Sequence, residues 1–452
     1  MKRALKSPWF FRCVAVLVFI VAQGVVLSIP VMVQEPSDWG LRAAVRNFSQ
    51  GQLVITDDQY IQHSIDARSE GWWFHSYGRV SEDSWAFTSA PGYAFFLVPF
   101  EQFGFPQLGL SFLSAGLVAV LYLLLARMRD EKTALIGVIL LLFTPLYLAM
   151  WQRVYSDALA AFALNGMGGG LYLYYWLSRE RLSPRMGAIT IFAAGLLLIA
   201  SITMCYTNII IAFVFGAHFL VMSIRYFQRK VKILPVGLFF GLGALVPGLG
   251  LLIYHGMVFG SPFTYGGAFA QLQVNFAWSY APGTFYGIVK NNISQLWVPL
   301  LIAMPVLIVS APAIMVVAHG KGFLSRKLDL WPEIPAHIFH LLWVWALVIF
   351  GLFAMYDWTS FQDGAKFPFP LLTRFYLPAL FPLVIVAALM IRRLSTKYWA
   401  GILVALSGLG LLFYVQACRV QIHFGDGAAP PSLDLPAQPE SILLELSKDK
   451  MS

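Results

Sequence analysis

The sequence predicts an all-α polytopic membrane protein with about eleven transmembrane helices and a cytoplasmic N-terminus. Three observations support this fold class. Hydrophobic residues make up 59% of the 452 residues and charged residues only 12%, whereas a typical soluble domain carries about a quarter charged residues. Long apolar runs follow one another at close spacing, and the basic residues lie in short clusters between them. We therefore interpret the chain as one membrane-embedded unit.

The predicted spans are apolar runs of about 20 residues, the length that crosses the hydrocarbon core of a bilayer. They lie at residues 10–33, 106–127, 133–151, 157–178, 186–204, 207–224, 233–256, 294–317, 337–356, 374–391 and 398–417. The first run follows a basic N-terminus but lacks a small-residue cleavage site, so we expect an uncleaved span rather than a signal peptide. Residues 1–418 thus form one transmembrane domain, followed by a flexible extracytoplasmic tail at 419–452.

The charge of the loops predicts the orientation of the spans. Six short segments on one side of the predicted membrane hold 20 of the 31 basic residues. These are Lys2, Arg3, Lys6 and Arg12; Arg127, Arg129 and Lys132; Arg179, Arg181 and Arg185; Arg225, Arg229, Lys230 and Lys232; Lys321, Arg326 and Lys327; and Arg392, Arg393 and Lys397. Basic loops stay in the cytoplasm, so the N-terminus is predicted to lie inside.

The opposite side of the membrane then receives the longer loops. Residues 34–105 form a long first extracytoplasmic loop, for which we expect short interfacial helices. Within it, residues 93–103 are too short to span and strongly aromatic, as in an amphipathic interfacial segment. Residues 257–293 and 357–373 form two further outer loops.

Several function classes are excluded by the same composition. The net charge of +9 comes mainly from the loop clusters, and no basic stripe interleaved with aromatic residues indicates nucleic-acid binding. Cys13, Cys205 and Cys418 lie far apart, so neither a disulfide framework nor a metal knuckle is expected. No phosphate-binding loop, dinucleotide fingerprint or nucleophile elbow occurs. The consecutive glycines 168–170 lie inside an apolar span and indicate close helix packing.

Two aspartates at the outer ends of predicted spans are the candidate catalytic residues. Asp38 follows the first span after a few residues, so a rigid helix holds it at a fixed height above the membrane. A carboxylate there can act as general base on an acceptor hydroxyl, although a solvated loop acid or a helix N-cap has the same signature. Asp157 opens the fourth span, where it either complements the helix dipole or supplies a second carboxylate.

Three cations on the same predicted face are candidates for binding a donor phosphate. Arg153 lies four residues before Asp157. Arg374 begins the tenth span on the outside, against the general bias of basic residues to the inside. Its planar guanidinium matches phosphate oxygens, while snorkelling toward lipid headgroups is the alternative. Lys366, eight residues earlier, is a further candidate.

Four segments stand out in order along the chain: TSAPGYAFFLVPFEQFG at the end of the first loop, YSDALAAF (155–162), YHGMVFGSPFTYGG (254–267) and TRFYLPALFPLVIV (373–386). Together they resemble the GT-C glycosyltransferases, the multi-span enzymes that use polyprenyl-phosphate sugars. That superfamily includes the protein O-mannosyltransferases and the aminoarabinose transferases. The resemblance covers most of residues 1–395.

This resemblance implies transfer of a sugar from a polyprenyl-phosphate donor to an acceptor hydroxyl, by a single inverting displacement at the outer face of the plasma (inner) membrane. Asp38 matches the catalytic acid of the first loop and Asp157 the second acidic position. Arg374 matches the late arginine expected near the donor phosphate. We expect the aromatic side chains Trp39, Trp85 and Tyr93 to stack on sugar faces, although anchoring at the membrane interface is the more common use of such rings.

The expected partners are the donor lipid, an acceptor that is a lipid, a glycan or a protein, and the surrounding membrane lipids, without nucleic acid. Many members of the superfamily carry two adjacent acids in the first loop, whereas here Asp38 is followed by Trp39. No metal ligand set is assigned for this reason, and a divalent metal ion stays open as a cofactor.

Two other functions fit parts of the pattern. A transporter or flippase of a lipid-linked or small polar substrate would need polar residues in mid-span and internal symmetry, and neither is prominent here. A polysaccharide polymerase or ligase also acts on lipid-linked sugars but typically places its principal loop late in the chain. Here the acid-rich loop comes first, which favours the GT-C glycosyltransferase.

Overall fold

The computed structural model describes residues 7–28, 36–60, 76–228, 234–264, 266, 300–301, 303–310, 334–355, 373–394 and 396–425. In chain order its elements are α1 (Pro8–Leu27), α2 (Pro36–Ser49), β1 (Val54–Thr56), β2 (Tyr77–Ser81), β3 (Ser84–Phe87), α3 (Gly92–Gln102), α4 (Pro106–Met128), α5 (Glu131–Leu142), α6 (Pro145–Gln152), α7 (Asp157–Ser178), α8 (Pro184–Met204), α9 (Ile209–Gln228), α10 (Leu234–Phe259), α11 (Ala336–Ala354), α12 (Leu380–Ile391) and α13 (Thr396–Gly425). Two 3-10 turns, Tyr206–Asn208 and Thr373–Ala379, precede α9 and α12.

Most of these helices coincide with predicted spans. Seven helices of the described part are long and apolar enough to cross a membrane, and the bent pair of α5 and α6 makes an eighth if it is one span. The architecture is therefore that of a polytopic helical membrane protein, as predicted. The predicted span 294–317 lies largely outside the described residues. The count of eleven spans and their orientation stay predictions.

The predicted span 133–151 is broken in the middle. The axes of α5 and α6 differ by 58° across the break. Pro145 opens α6, where it has no N–H to donate, and Thr144 before it is extended (φ −70°, ψ 124°). Proline disfavours a helical conformation in the preceding residue, so the helix cannot run straight through. The bend therefore determines the direction of α6 and with it the position of Arg153, which directly follows this helix.

Helix α13 packs directly on this break. Gly410 of α13 lies against the backbone carbonyl of Phe143, and an added side chain there would collide with it. One turn later, the Tyr414 hydroxyl donates to Oε1 of Gln152 over 3.2 Å, with both side chains buried. Both ends of α6 are therefore in contact with the last helix of the described chain.

Glycines let several helices approach α7 closely. A Cβ added at Gly168 would lie 2.8 Å from the backbone nitrogen of Leu198 in α8. One added at Gly169 would lie 2.7 Å from the ring of Trp345 in α11, and one at Gly170 would meet side chains of α4 and α12. Each glycine faces a different neighbour, in agreement with the packing role predicted for residues 168–170.

A reciprocal glycine contact joins α8 and α10. Gly195 of α8 lies against the backbone carbonyl of Phe240, and Gly243 of α10 lies against the backbone carbonyl of Phe192. Small residues of this kind allow two helix backbones to touch, which gains van der Waals contact in a membrane.

Ion pairs tie helices together at the predicted cytoplasmic end. Asp130 caps α5 by accepting from the backbone N–H of Thr133 at 2.7 Å, and Arg392 after α12 donates to its Oδ2 at 2.8 and 3.0 Å. Burial favours a higher pKa for Asp130, but Arg392 and Thr133 outweigh it and lower that pKa. Arg12 of α1 pairs with Glu131 at 3.0 Å.

The outer loop contains a small antiparallel sheet in the order β1-β3-β2. Trp85 of β3 stacks on Tyr60 with ring centroids 3.8 Å apart, and its indole N–H donates to Oδ1 of Asp57 over 2.5 Å. Arg79 of β2 pairs with the same carboxylate at 3.2 Å. Helices α2 and α3 correspond to the short helices expected in this loop, but the sheet was not predicted. Its strands are only three to five residues long, too short for a clear alternation of polarity.

Aromatic contacts dock this outer layer on the bundle. Phe48 of α2 stacks on Phe95 of α3 with centroids 4.5 Å apart, and Tyr254 of α10 meets both rings edge-on. Asn47 donates to the Tyr77 hydroxyl at 3.0 Å, which joins α2 to the sheet. The position of α2 is thus fixed by the sheet on one side and by α3 and α10 on the other.

The glycine contact predicts a difference between two neighbouring substitutions in α10. Gly243→Ala should lower the apparent midpoint of thermal unfolding, because its Cβ would push the α8 backbone away. Gly241→Ala should leave the midpoint unchanged or raise it, since a Cβ there meets nothing within 4 Å and alanine favours a helix over glycine by roughly 1 kcal/mol. Thermal unfolding of the full chain in one detergent measures both. Equal midpoints for the two variants would contradict the close contact.

Candidate functional site

The candidate site is built on a buried ion pair between Asp38 and Arg153. Asp38 lies in the first turn of α2, and Arg153 directly follows α6. The guanidinium donates to Oδ2 of Asp38 from Nη2 at 2.6 Å and from Nε at 3.1 Å. The side chains are only 1% and 2% exposed. Such a pair holds α2 and the end of α6 together, because separating the two side chains would leave an uncompensated charge in the interior.

The segment 153–157 is fastened from the other side by α3. The Tyr93 hydroxyl, buried in α3, donates to the carbonyl of Val154 over 2.5 Å. The Tyr155 hydroxyl donates to Oε2 of Glu101, at the end of α3, over 2.7 Å. The guanidinium of Arg42 in α2 lies 5.6 Å from the centre of the Tyr155 ring. Helices α2 and α3 therefore enclose the segment that joins α6 to α7.

Burial keeps both tyrosines in their neutral, donating form. The pKa of Tyr93 is raised, first by burial and then by the negative charges of Asp157 and Asp38. The pKa of Tyr155 is raised by burial and by its hydrogen bond to Glu101. A phenol that stays protonated can hold its acceptor at any physiological pH.

Asp157 completes a group of three charges. It is the first residue of α7, where a carboxylate complements the positive end of the helix dipole. It lies close enough to Asp38 and to Arg153 to interact electrostatically with both. The structure thus brings together both predicted acids and the predicted cation Arg153, and the two carboxylates outnumber the guanidinium.

Arg374 belongs to the 3-10 turn Thr373–Ala379, which packs against α6, α7 and α11. Two of these helices lead into the segment that carries Arg153 and Asp157. The guanidinium of Arg374 lies 4.9 Å from the centre of the Phe375 ring. Lys366 lies outside the described residues.

The structure describes the side chains of two of the three aromatic candidates, Trp85 and Tyr93. Trp85 is 8% exposed and has one face covered by Tyr60. Tyr93 is 0% exposed and uses its hydroxyl on the chain itself. Both rings pack against the chain itself, and their contact with a sugar stays a prediction. The side chain of Trp39 lies outside the described part.

No group of three or more His, Cys, Asp or Glu side chains that could hold a metal ion occurs among the described residues. Cys205, at the end of α8, is near enough to Asp157 to interact with it electrostatically, and its sulfur lies 3.3 Å from the hydroxyl of Thr207. The described part of the site therefore offers carboxylates, a guanidinium, phenols and one thiol.

The sequence indicated both acids and Arg153 as site residues, with Arg153 as a candidate for the donor phosphate, and in the structure its guanidinium contacts Asp38. It also missed Tyr155 and Glu101. The signal that could have identified them is the spacing from Tyr93 to Glu101, which puts a phenol and a carboxylate at the two ends of one short helix. Both side chains contact the segment 153–157. Which carbonyl or hydroxyl they meet depends on tertiary packing.

The fold is similar to that of known membrane glycosyltransferases. ArnT from Cupriavidus metallidurans bound to undecaprenyl phosphate matches with a TM-score of 0.54 and 14% identity over 94% of this chain and 66% of ArnT. The archaeal oligosaccharyltransferase AglB from Archaeoglobus fulgidus, in complex with an inhibitory peptide and a dolichol-phosphate, matches with a TM-score of 0.51 and 10% identity over 91% of this chain. The chain spans 56% of the length of AglB.

These similarities confirm the fold that the resemblance of the four segments implied. At identities of 10 to 14% they establish the fold alone. No protein-family profile matches the chain. No curated protein sequence is significantly similar to it.

The buried ion pair predicts a strong coupling between two substitutions. Arg153→Met should destabilise the protein by roughly 3–5 kcal/mol, because it leaves the Asp38 carboxylate buried without its counter-charge. Asp38→Asn combined with Arg153→Met should cost clearly less than the sum of the two single changes. Unfolding of the four proteins in detergent gives the coupling energy. Additive losses would contradict a direct interaction.

Proposed function

We propose that the chain is a glycosyltransferase that moves a sugar from a polyprenyl-phosphate donor to an acceptor hydroxyl at the extracytoplasmic face of the plasma membrane. One observation carries the proposal: Asp38, Asp157 and Arg153 converge at the start of the first outer-loop helix, where Asp38 and Arg153 are buried and Asp157 is half-buried. The fold supports the proposal as well, since it is similar to that of ArnT bound to undecaprenyl phosphate and of AglB in complex with a dolichol-phosphate.

The proposed reaction is a single displacement. The acceptor oxygen attacks the anomeric carbon, its proton passes to a carboxylate of the Asp38 and Asp157 pair, and the bond from the anomeric carbon to the phosphate oxygen breaks. The polyprenyl phosphate leaves as an anion, so cationic stabilisation matters more than protonation of the leaving group. The configuration at the anomeric carbon inverts.

The charge balance of the group suits a general base. Two carboxylates lie close to one guanidinium, so the group has a net negative charge that attracts the proton of an acceptor hydroxyl. Arg153 holds Oδ2 of Asp38 in a fixed position, so we assign Asp38 as the base. Asp157 is then the second acid, which keeps the group negatively charged.

Arg153 is then a positioning residue, since its guanidinium is already engaged with Asp38. This assigns the donor phosphate to Arg374, whose turn packs on α6 and α7. An arginine presents a planar fork that binds two phosphate oxygens at once. Lys366 stays a further candidate for the same role.

Substitution of the acids tests the proposal. Asp38→Asn and Asp157→Asn should each lower the rate of sugar transfer by roughly a hundred-fold or more, the usual contribution of a general base. Asp83→Asn is the matched control, because Asp83 is an exposed acid of the same outer loop. The assay uses purified full chain, a panel of radiolabelled polyprenyl-phosphate sugars and a membrane extract as acceptor source.

Transfer that survives Asp38→Asn in a normally folded protein would remove the assigned base. A flippase or transporter would move the labelled donor across a reconstituted bilayer without breaking the bond between sugar and phosphate. Donor that crosses intact, with no sugar transferred from any member of the panel, would therefore contradict the proposal.

Arg374 predicts a separate effect on donor binding. Arg374→Gln should raise KM for the polyprenyl-phosphate sugar roughly ten-fold or more, since a charge-assisted pair with phosphate is lost. Arg374→Lys should restore part of the affinity through its charge but not through its geometry. Steady-state kinetics with the donor varied at saturating acceptor measure this change. A donor KM equal to that of the wild type would rule out the assignment.

A further inference from the structure

A second polar cluster lies at the opposite end of α7 from the Asp38 group. Asp157 opens this helix of 22 residues, and Trp176 lies near its end. At 1.5 Å per residue, the helix separates the two clusters by about 30 Å, the thickness of a bilayer core. The second cluster contains Tyr172, His218 of α9 and His337 of α11, and the proposed glycosyl transfer uses none of them.

The cluster is a hydrogen-bonded chain. The Tyr172 hydroxyl lies 2.9 Å from Nδ1 of His218, and Nε2 of His218 lies 3.2 Å from Nδ1 of His337. The two imidazole rings stack with centroids 5.4 Å apart. Trp176 meets both histidine rings and the Tyr172 ring edge-on.

The chemistry of these groups determines which atom donates in each hydrogen bond of the cluster. The Tyr172 side chain is buried, so its O–H hydrogen needs an acceptor, and the hydroxyl donates it to Nδ1 of His218, 2.9 Å away. Neutral His218 then carries its hydrogen on Nε2 and donates it to Nδ1 of His337. Neutral His337 must in turn carry its hydrogen on Nε2. The chain therefore ends in an N–H donor.

The surroundings of this donor are cationic. The charged groups that act on His337 are Arg225, Arg179 and His340, and those that act on His218 are His337 and Arg225. No carboxylate acts on either imidazole within the described part of the chain. The Arg179 guanidinium lies 5.7 Å from the centre of the Trp176 ring. Donors and positive charge thus converge at one place.

We propose that this cluster binds a phosphate group, supplied by the headgroup of an anionic membrane lipid. Phosphate offers several acceptor oxygens, which suits two guanidinium groups and an imidazole N–H together. Arg225 and His340 are exposed on the helix surface, while His218 and His337 are half-buried beneath them. A headgroup at the bilayer surface can reach such a place, and basic pockets between helices recognise headgroups in this way. Free phosphate is the other source of the same chemistry.

Titration of the full chain in detergent tests the proposal, with phosphatidylglycerol as the anionic lipid and phosphatidylcholine as the neutral one. Native mass spectrometry counts bound lipid, and thermal unfolding gives an affinity. Arg225→Gln and His337→Gln should each weaken phosphatidylglycerol binding about ten-fold. Arg181→Gln removes the same charge from an exposed neighbouring position and should leave binding unchanged.

Tyr172→Phe is the conservative variant, because it deletes only the hydroxyl that donates to His218. It should also weaken phosphatidylglycerol binding. Competition by inorganic phosphate would support the site with free phosphate as a ligand, and failure to compete would support a lipid-only ligand. Equal binding of phosphatidylcholine would overturn the proposal. So would an equal loss in Arg181→Gln and Arg225→Gln, which would reduce the effect to general surface charge. Sugar transfer is not measured, so this result is independent of the proposed activity.

Discussion

The salt bridge between Asp38 and Arg153 is the interaction on which the candidate site depends. It joins residues 115 positions apart in sequence and connects the first helix of the outer loop to the helical bundle. Two charges leave water only when their geometry is well supported. The outer sheet and α3 supply that support, because they hold α2 and the segment 153–157 in place from two sides. The site is thus a product of the whole outer layer.

The membrane architecture was predictable because it depends on local composition. Runs of apolar residues give the ends of α4, α8, α10 and α11 to within three residues, since a helix in lipid must satisfy its own backbone. The break before Pro145 was not predicted, although the proline that causes it is visible in the sequence. An apolar run has the same hydropathy whether it is straight or bent, so hydropathy alone cannot locate the bend.

The candidate site was predictable in its members and not in its pairings. Asp38 and Asp157 were identified because acids next to spans need a reason to be there. Arg153 was assigned to a phosphate, and Tyr93 to a sugar, because each has the right chemistry for that partner. The structure gives each a partner within the chain, a carboxylate for Arg153 and a carbonyl for Tyr93. Such choices are made by tertiary contacts, about which residue type says little.

The contact of α13 with the broken span links two distant parts of the chain. Gly410 leaves room for the carbonyl of Phe143, and Tyr414 holds Gln152, the residue before Arg153. Helix α13 therefore supports the segment that carries the ion pair. Exchange of that helix between homologues would succeed only if the break in the span were exchanged with it, so the two segments form one unit of inheritance although more than 250 residues separate them.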